Sequence, residues 1–381
     1  MKSRGIPLGK ILNIPVNVDY SWFLIFILLT WSLAISYYPS EFRHWSSALY
    51  WVLGAITTIM LFVSVLLHEL GHSIIALRYK IPVRNITLFI FGGVAQITSE
   101  PPTAMAEFWI AIAGPVVSFL LAGVFYLLEF IFQSLTPLFA LMKYLAYINA
   151  TLGLFNLIPG FPLDGGRVFR AVVWGTSGDF RKATRIASGT GRVIAYLFIL
   201  AGVYFIFSGN FAGGIWIAFI GWFLESAAQS QVQQMAIRDL LAGRKVLQAM
   251  SHNYTIISPS ITLQRLADNQ ILGEGRRFFI VQDENGVRGA LTLQSIREIP
   301  RDQWPFTSAE QAMIQAGSMQ WVHPDTELWD ALERMDQNGV NQLPVIQDDQ
   351  IAGLLTRENV ISFLRTLQDF RSRPWPGSSN R

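Results

Sequence analysis

The sequence His68-Glu69-Leu70-Gly71-His72 lies in an apolar run that extends from Ala48 to Leu77. If this run is helical, His68 and His72 lie one turn apart and their imidazoles project from the same face. Two imidazoles at this spacing can bind one zinc ion, and Glu69 beside them can act as a base toward a water molecule that the metal activates. The stretch therefore predicts both a membrane-spanning helix and a metal site on it.

The same five-residue pattern also occurs by accident in helices of soluble proteins. Its setting here argues against an accident, because the run is long enough to cross a bilayer. Each charged residue near the centre of such a segment costs about 2.5–3.5 kcal/mol on insertion scales. Three titratable residues within one short stretch are difficult to explain there unless they have a function. We therefore interpret the motif as a metal site.

The composition indicates an integral membrane protein with several spans. Of the 381 residues, 51% are hydrophobic and 14% are charged, whereas about 25% of an ordinary soluble domain is charged. The absence of cysteine excludes disulfides, thiolate metal ligands and cysteine nucleophiles. The net charge is only +3 and the basic residues collect in loops, which fits membrane orientation and argues against nucleic-acid binding.

Six apolar segments have the length of membrane spans. They are Ser21 to Tyr38, Ala48 to Leu77, Met105 to Phe132, Pro137 to Leu157, Val193 to Phe207 and Phe211 to Ala228. Residues 1–18 lack a compact apolar core with a cleavage site, so we expect a retained cytoplasmic segment. Residues 81–103 are too interrupted to span, and the β-branched and aromatic residues around Gly92 and Gly93 predict a strand or hairpin. It is either a plain surface hairpin or a short sheet with an open edge near the metal.

The fourth span ends in a segment that cannot continue as a regular helix. Residues 156–166 contain two prolines and three glycines, and these residues break helices. Unwound backbone at membrane depth is tolerated where it lines a cavity inside the protein. Asp164 in this segment is the best candidate for a third metal ligand. The alternative is that Asp164 caps a helix beginning near Arg167.

Basic residues occur in three segments that the six spans place on the same side of the membrane. These are Lys2, Arg4 and Lys10, then Arg78, Lys80 and Arg84, then the connector from Arg167 to Arg192. Positively charged loops face the cytoplasm. We therefore expect the N-terminus and the region after the last span to be cytoplasmic, and the metal site to lie in the cytoplasmic half of the membrane.

From about Gln229 the sequence becomes mixed and charged, and it contains a weak internal repeat. Residues 262–267 match 326–332, residues 278–283 match 343–348, and residues 289–292 match 353–356. A repeat of about sixty residues with interleaved strands and helices is typical of two similar α/β modules.

These motifs together resemble the site-2 protease family of intramembrane zinc metalloproteases, and the repeat resembles a tandem pair of cystathionine-β-synthase-type (CBS) modules. The resemblance covers nearly the whole chain. The arrangement of about six spans followed by a CBS pair is similar to the CBS-bearing branch of the family found in archaea and bacteria. It implies a polytopic α-helical membrane protein of about six transmembrane helices with a short membrane-associated β-hairpin, followed by a soluble α/β tandem CBS domain. The expected boundaries are 1–228 for the protease domain, 229–244 for a linker, 245–300 and 305–370 for the CBS modules, and 371–381 for a tail.

The family pattern assigns roles to individual positions. It implies one zinc ion per chain bound by His68, His72 and Asp164, with Glu69 as the general base. It further implies that Asn156 positions the substrate or stabilises the oxyanion, that Gly92 and Gly93 belong to an edge strand that receives the substrate, and that Gly114 to Ser118 form a small-residue packing motif. The implied reaction is hydrolysis of a peptide bond in or near the transmembrane segment of a single-span membrane protein, such as an anti-sigma factor or another membrane-bound regulator. The implied location is a prokaryotic cell membrane.

The CBS repeat departs partly from the family pattern. Gly353, Thr356 and Asn359 fit the run that contacts the ribose of an adenosyl nucleotide, whereas the corresponding run from Gly289 ends in Ser295. The modules therefore serve either nucleotide binding or dimerisation and gating, and a homodimer through them is consistent with the family.

Two other functions remain open from the sequence. A CBS-gated metal transporter would use the same modules, but it would show polar residues along several spans instead of in one half of the membrane. An inactive relative that only binds membrane segments would lack Glu69 or Asp164, and both are present.

Overall fold

The computed structural model describes residues 5–273, 275–284, 286–348 and 350–372. The chain divides into two compact units, one ending at Met235 and the other beginning at Ala236. Each unit is described by itself.

In the described residues, six helices are long and apolar enough to cross a membrane. They are Ser21–Glu41 (α1), Ser47–Arg78 (α2), Ala104–Ile131 (α3), Thr136–Asn156 (α4), Phe180–Phe207 (α6) and Phe211–Leu241 (α7), and a shorter helix, Asp164–Ser177 (α5), precedes α6. The chain is thus an integral membrane protein, as its composition predicts.

Two of these helices are longer than the apolar segments predict. Helix α6 begins at Phe180 instead of Val193, and Asp179 caps it by accepting the Lys182 N–H over 3.0 Å. Much of the basic connector is therefore helical. Helix α7 continues to Leu241 because no glycine or proline interrupts residues 222–242. Hydropathy located the apolar centres of both helices but not the polar turns that extend them.

A four-stranded sheet belongs to the first unit. Its strands are Gly5–Ile11 (β1), Ile14–Asp19 (β2), Val83–Phe89 (β3) and Gly92–Ile97 (β4), in that spatial order. The β2–β3 pair is parallel and the other pairs are antiparallel. The predicted hairpin around Gly92 is therefore part of a larger sheet, and β4 is one of its edges.

The N-terminal hairpin is a feature that the sequence reading missed. Leu12 and Asn13 form its turn with φ values of 50° and 64°, the left-handed conformation that two-residue hairpins require. Ile14 and Ile86 of the sheet are buried in one cluster with Leu70 of α2. The sheet therefore packs directly against the helix that carries the histidine motif.

The second unit contains two sheets and several short helices. One sheet has the order Thr255–Ile257 (β5), Phe278–Asp283 (β6), Gly286–Thr292 (β7) and Ile314–Gln315 (β8), and the other pairs Gln342–Gln347 (β9) with Gln350–Thr356 (β10). The helices are Leu263–Leu266 (α8), Leu293–Arg297 (α9), Ala309–Ala312 (α10), Leu328–Asn338 (α11) and Arg357–Ser372 (α12).

The segment that opens each repeat packs in the core of the other one. Val246 is fully buried with Leu343 and Val345, and its N–H donates to the Thr326 carbonyl over 2.9 Å. In the same way Ala309 is buried among residues of the first repeat, including Phe279. The boundaries of the sequence repeat therefore do not coincide with the boundaries of the two hydrophobic cores.

We expect Val246→Ser to loosen the second repeat more than the first, because Val246 is fully buried in the core around β9 and its replacement leaves a cavity and a polar group there. Hydrogen exchange of the full-length protein should rise mainly in α11, β9 and β10. The matched control is Leu247→Ser at the adjacent residue, which is 53% exposed and should leave exchange unchanged. An equal rise of hydrogen exchange in both repeats of Val246→Ser would contradict the packing of residue 246 in the core of the second repeat.

Candidate metal centre

Two helices bring three potential metal ligands together. His68 and His72 of α2 are each 4% exposed, and their Nε2 atoms are 3.2 Å apart. Asp164, the first residue of α5, places Oδ2 at 3.1 Å from His68 Nε2 and 3.2 Å from His72 Nε2. In the described residues, this is the cluster of histidine and carboxylate side chains that could hold a metal ion.

The donor set fits zinc. Tetrahedral zinc with bonds of roughly 2.0–2.1 Å requires ligand atoms that are roughly 3.3–3.4 Å apart, close to the separations of 3.1–3.2 Å observed here. Two imidazoles and one carboxylate are ordinary zinc ligands, and three protein ligands leave a fourth position for water or substrate. The arrangement is therefore suitable for a hydrolytic zinc site.

Helix α3 orients both imidazoles. His72 Nδ1 donates to the Ile110 carbonyl over 2.6 Å, and His68 Nδ1 lies 2.8 Å from Ser118 Oγ. Because these contacts occupy Nδ1, they leave Nε2 of each ring available for a metal. A Cβ atom on Gly114, which lies between them on α3, would be 2.2 Å from His72 Nε2. Glycine at this position lets α3 approach the ligand atoms.

Asp164 does not cap a helix that begins near Arg167, so that alternative is wrong. Helix α5 already begins at Asp164, and its N-cap is Leu163 without a side-chain hydrogen bond. The Asp164 carboxylate instead points to the imidazoles. Gly165 and Gly166 fix this end of the helix, since a Cβ on either one would lie 2.3 Å from backbone atoms of residues 157–160.

The edge strand β4 contacts the candidate base. The Ala95 N–H donates to Glu69 Oε2 over 3.1 Å, so this amide points away from β3. A Cβ on Gly93 would lie 2.7 Å from Glu69 Cγ, and Gly92 has a φ of +125° at the start of the strand. Gly93 thus lies beside Glu69, where the backbone has to pass close to a side chain, whereas an added Cβ on Gly92 would have only Val65 within 4 Å.

Asn156 is the last residue of α4 and is half-buried. Leu157, which follows it, packs against Gly165 at the start of α5. Asn156 is therefore placed by the same turn that places Asp164.

Thr356 and Asn359, predicted as nucleotide contacts, cap α12 in the second unit. Thr356 Oγ1 donates to Asn359 Oδ1 over 2.7 Å, and the Asn359 N–H donates to Thr356 Oγ1 over 3.1 Å. In the first repeat Thr292 and Ser295 make the same contact with an Oγ–Oγ distance of 2.8 Å. Ser295, which stands where the second repeat has Asn359, thus preserves the helix cap but has a hydroxyl in place of the side-chain amide.

The sequence reading missed three groups around the metal centre. The Ile110 carbonyl and the Ala95 amide are backbone groups, and no residue type reports how they will be used. The sequence indicates Ser118 only as a small residue for helix packing. Ser118 lies four residues after Gly114, so both residues lie on the same face of α3. This spacing was the sequence signal that Ser118 could contact the helix that carries the histidines.

Comparison with known proteins agrees with this geometry. The model of peptidase family M50 matches residues 56–139 and 133–200, and the CBS domain model matches residues 316–366. A protein of Synechocystis sp. provisionally named a zinc metalloprotease is 34% identical over 367 residues, covering 96% of both chains. The provisionally named zinc metalloprotease Rip3 of Mycobacterium tuberculosis is 35% identical over 361 residues, covering 93% of this chain and 92% of Rip3.

A solved structure, the site-2 protease from Methanocaldococcus jannaschii, is 31% identical, covers 60% of this chain and 95% of its own, and has a TM-score of 0.42. The two relatives that align over nearly their full length decide the assignment, together with the family model that spans α2 to α6. The chain belongs to the site-2 proteases of peptidase family M50 and is an intramembrane zinc metalloprotease with a C-terminal CBS region.

Proposed function

We propose that His68, His72 and Asp164 bind the zinc ion, one per chain, and that Glu69 is the general base of the protease. The observation that carries this proposal is the convergence of two imidazole nitrogens and one carboxylate oxygen within 3.2 Å of one another. Desolvating three such groups is costly unless a cation compensates them.

The residues divide the chemistry between them. The zinc ion that His68, His72 and Asp164 would hold would supply Lewis acidity toward the scissile carbonyl and the attacking water. Glu69 takes the proton of the attacking water on a carboxylate oxygen and later passes it to the leaving amine nitrogen. The Ala95 amide holds Glu69 Oε2, so the proton is carried by an oriented carboxylate. Asn156, beside the start of α5, donates from its side-chain amide to the substrate carbonyl or to the developing oxyanion.

The proposed substrate segment is an extended stretch of a membrane protein that pairs with β4. A transmembrane helix satisfies its own backbone groups, so its peptide bonds become accessible only after it unwinds. Pairing with an edge strand replaces the hydrogen bonds that are lost. Strand β4 is suited to this because it is the sheet edge next to Glu69.

The proposed partner is a single-span membrane protein whose cleavage releases a regulator, such as an anti-sigma factor or another membrane-bound regulator. The proposed location is a prokaryotic cell membrane, with the N-terminus and the CBS region in the cytoplasm. This orientation is supported by the basic residues in segments 5–10, 78–84 and 167–192, because a chain that crosses the membrane six times would carry these segments on the same side.

We further propose that the CBS region regulates the protease by binding an adenosyl nucleotide and forms a homodimer. A cavity of about 1590 Å³ in the second unit is lined by residues of both repeats, among them Ser295 and Thr356. Arg277, Arg297 and Arg357 also line it, and guanidinium groups are well suited to phosphates.

Glu69→Gln should retain zinc and reduce cleavage by about 100-fold or more, because it keeps the size of the side chain but removes the base. The measurement is cleavage of a panel of single-span reporter proteins in membranes, together with zinc content. Glu41→Gln, at a half-exposed residue that pairs with Lys143, should behave like the parent. Cleavage by Glu69→Gln at the parental rate would contradict the role of Glu69.

Gly114→Ala should abolish zinc binding, because the added Cβ would lie 2.2 Å from His72 Nε2 and 2.6 Å from His68 Nε2. Zinc per chain in the purified protein measures the effect. The matched control is Gly123→Ala on the same helix, where an added Cβ has no atom within 4 Å and zinc should be retained. Full zinc occupancy in Gly114→Ala would contradict the assigned ligand atoms.

Thr356→Val should weaken the binding of AMP or ATP about tenfold, the effect of losing one hydrogen bond. Equilibrium binding to the full-length protein measures this. Thr262→Val removes a comparable cap, that of α8, at a residue outside the cavity lining and should leave binding unchanged. Absence of AMP and ATP binding to the parent would contradict nucleotide regulation without affecting the protease assignment.

A further inference from the structure

A buried ion pair connects two helices of the metal centre without contacting the proposed ligands. Glu107, in the first turn of α3, is fully buried, and the side chain of Arg170 on α5 is 10% exposed. Arg170 Nε donates to Glu107 Oε1 over 2.7 Å, and a second guanidinium nitrogen contacts the same oxygen. The burial of this ion pair requires an explanation, because removing two charged groups from water costs free energy.

Aromatic rings also fix the Arg170 guanidinium. Its central carbon lies 4.9 Å from the centre of the Phe161 ring and 4.7 Å from that of Phe180. Phe161 is 4% exposed, so this contact is part of the protein interior. A planar guanidinium can stack on such rings and bind a carboxylate at its edge, which a lysine ammonium cannot do. The rings and the carboxylate therefore together fix the orientation of the Arg170 side chain from α5 toward Glu107.

Glu107 belongs to the same face of α3 that orients the histidines. Ile110, Gly114 and Ser118 follow Glu107 at intervals of three, four and four residues, the spacing of one helix face. Ile110 and Ser118 contact His72 and His68. One face of one helix thus holds both imidazoles and the Arg170 side chain of α5.

Helix α5 is held at two points. Its first turn packs against residues 157–160 through Gly165 and Gly166. Arg170 anchors it six residues after Asp164, about 9 Å along the helix. Contacts at both places restrict tilting of the helix, and the orientation of α5 determines where the Asp164 carboxylate lies relative to the imidazoles.

We propose that the Glu107–Arg170 ion pair is a positioning device that sets the Asp164 carboxylate against His68 and His72 and thereby tunes zinc affinity. The inference deepens the proposed function and rests on the zinc site assigned there. General stabilisation alone is a weaker explanation, because a well-packed apolar pair of similar volume often stabilises a protein as well as a buried ion pair.

The test is the zinc dissociation constant of full-length, monodisperse protein in detergent, measured by competition with a chelator. Arg170→Gln should raise this constant about 10–100-fold, the usual effect of removing a group that orients a metal ligand. Arg170→Lys should fall between Arg170→Gln and the parent, since it keeps the charge but loses the planar donor. Lys143→Gln is the control, because it removes a half-exposed ion pair with Glu41 and should leave zinc affinity unchanged.

Breaking one side of a buried pair can unfold a protein, so Glu107→Gln/Arg170→Gln, which leaves no uncompensated charge, accompanies the single variants. It should also raise the zinc dissociation constant at least tenfold, while added zinc restores part of the cleavage rate. Zinc affinity within twofold of the parent in the folded variants would overturn the positioning role but leave the zinc site intact. A parent chain that binds no zinc would overturn the proposed function itself.

Discussion

Gly114 of α3 packs directly against the imidazoles of α2, and the geometry of the metal centre depends on this close approach. Gly71 permits it from the other side, because a Cβ there would lie 2.9 Å from Val117. With the helices this close, a carbonyl and a hydroxyl of α3 reach Nδ1 of both rings. The Nε2 atoms of both rings then face the Asp164 carboxylate at the start of α5.

Polar groups in an apolar interior are costly without partners, and in this unit the partners also determine how the side chains are oriented. Glu69 is held by the Ala95 amide of the edge strand, so the base and the proposed substrate-binding strand share one structural element. Arg170 and Glu107 hold each other in the same way between α5 and α3. The buried hydrogen bonds and ion pairs of this unit therefore do more than compensate desolvation. They fix the relative positions of three helices and one sheet.

The second unit shows a different constraint. Each half of the repeat contributes its opening segment, such as residues 246–250, to the core of the other half. Such an exchange makes the two halves mutually dependent. A ligand in the cavity that both halves line would therefore act on both cores.

The sequence by itself determined the membrane class, the six apolar helices and the identity of the candidate ligands. Those properties follow from composition, from a helical spacing of four and from the helix-breaking residues around Asp164, all of which act locally. The N-terminal strands and the exchanged segments could not be read from the sequence, because each depends on contacts between residues distant along the chain. The polar turns that lengthen α6 and α7 have local signals, the Asp179 cap and the absence of glycine and proline from residues 222–242, but these signals do not change the hydropathy. Only the tertiary structure decided that Ile110, Ser118 and Ala95 serve the site, and that Glu107 meets Arg170. Backbone groups carry no residue signature, and a buried charge reveals its partner only when two helices are packed together.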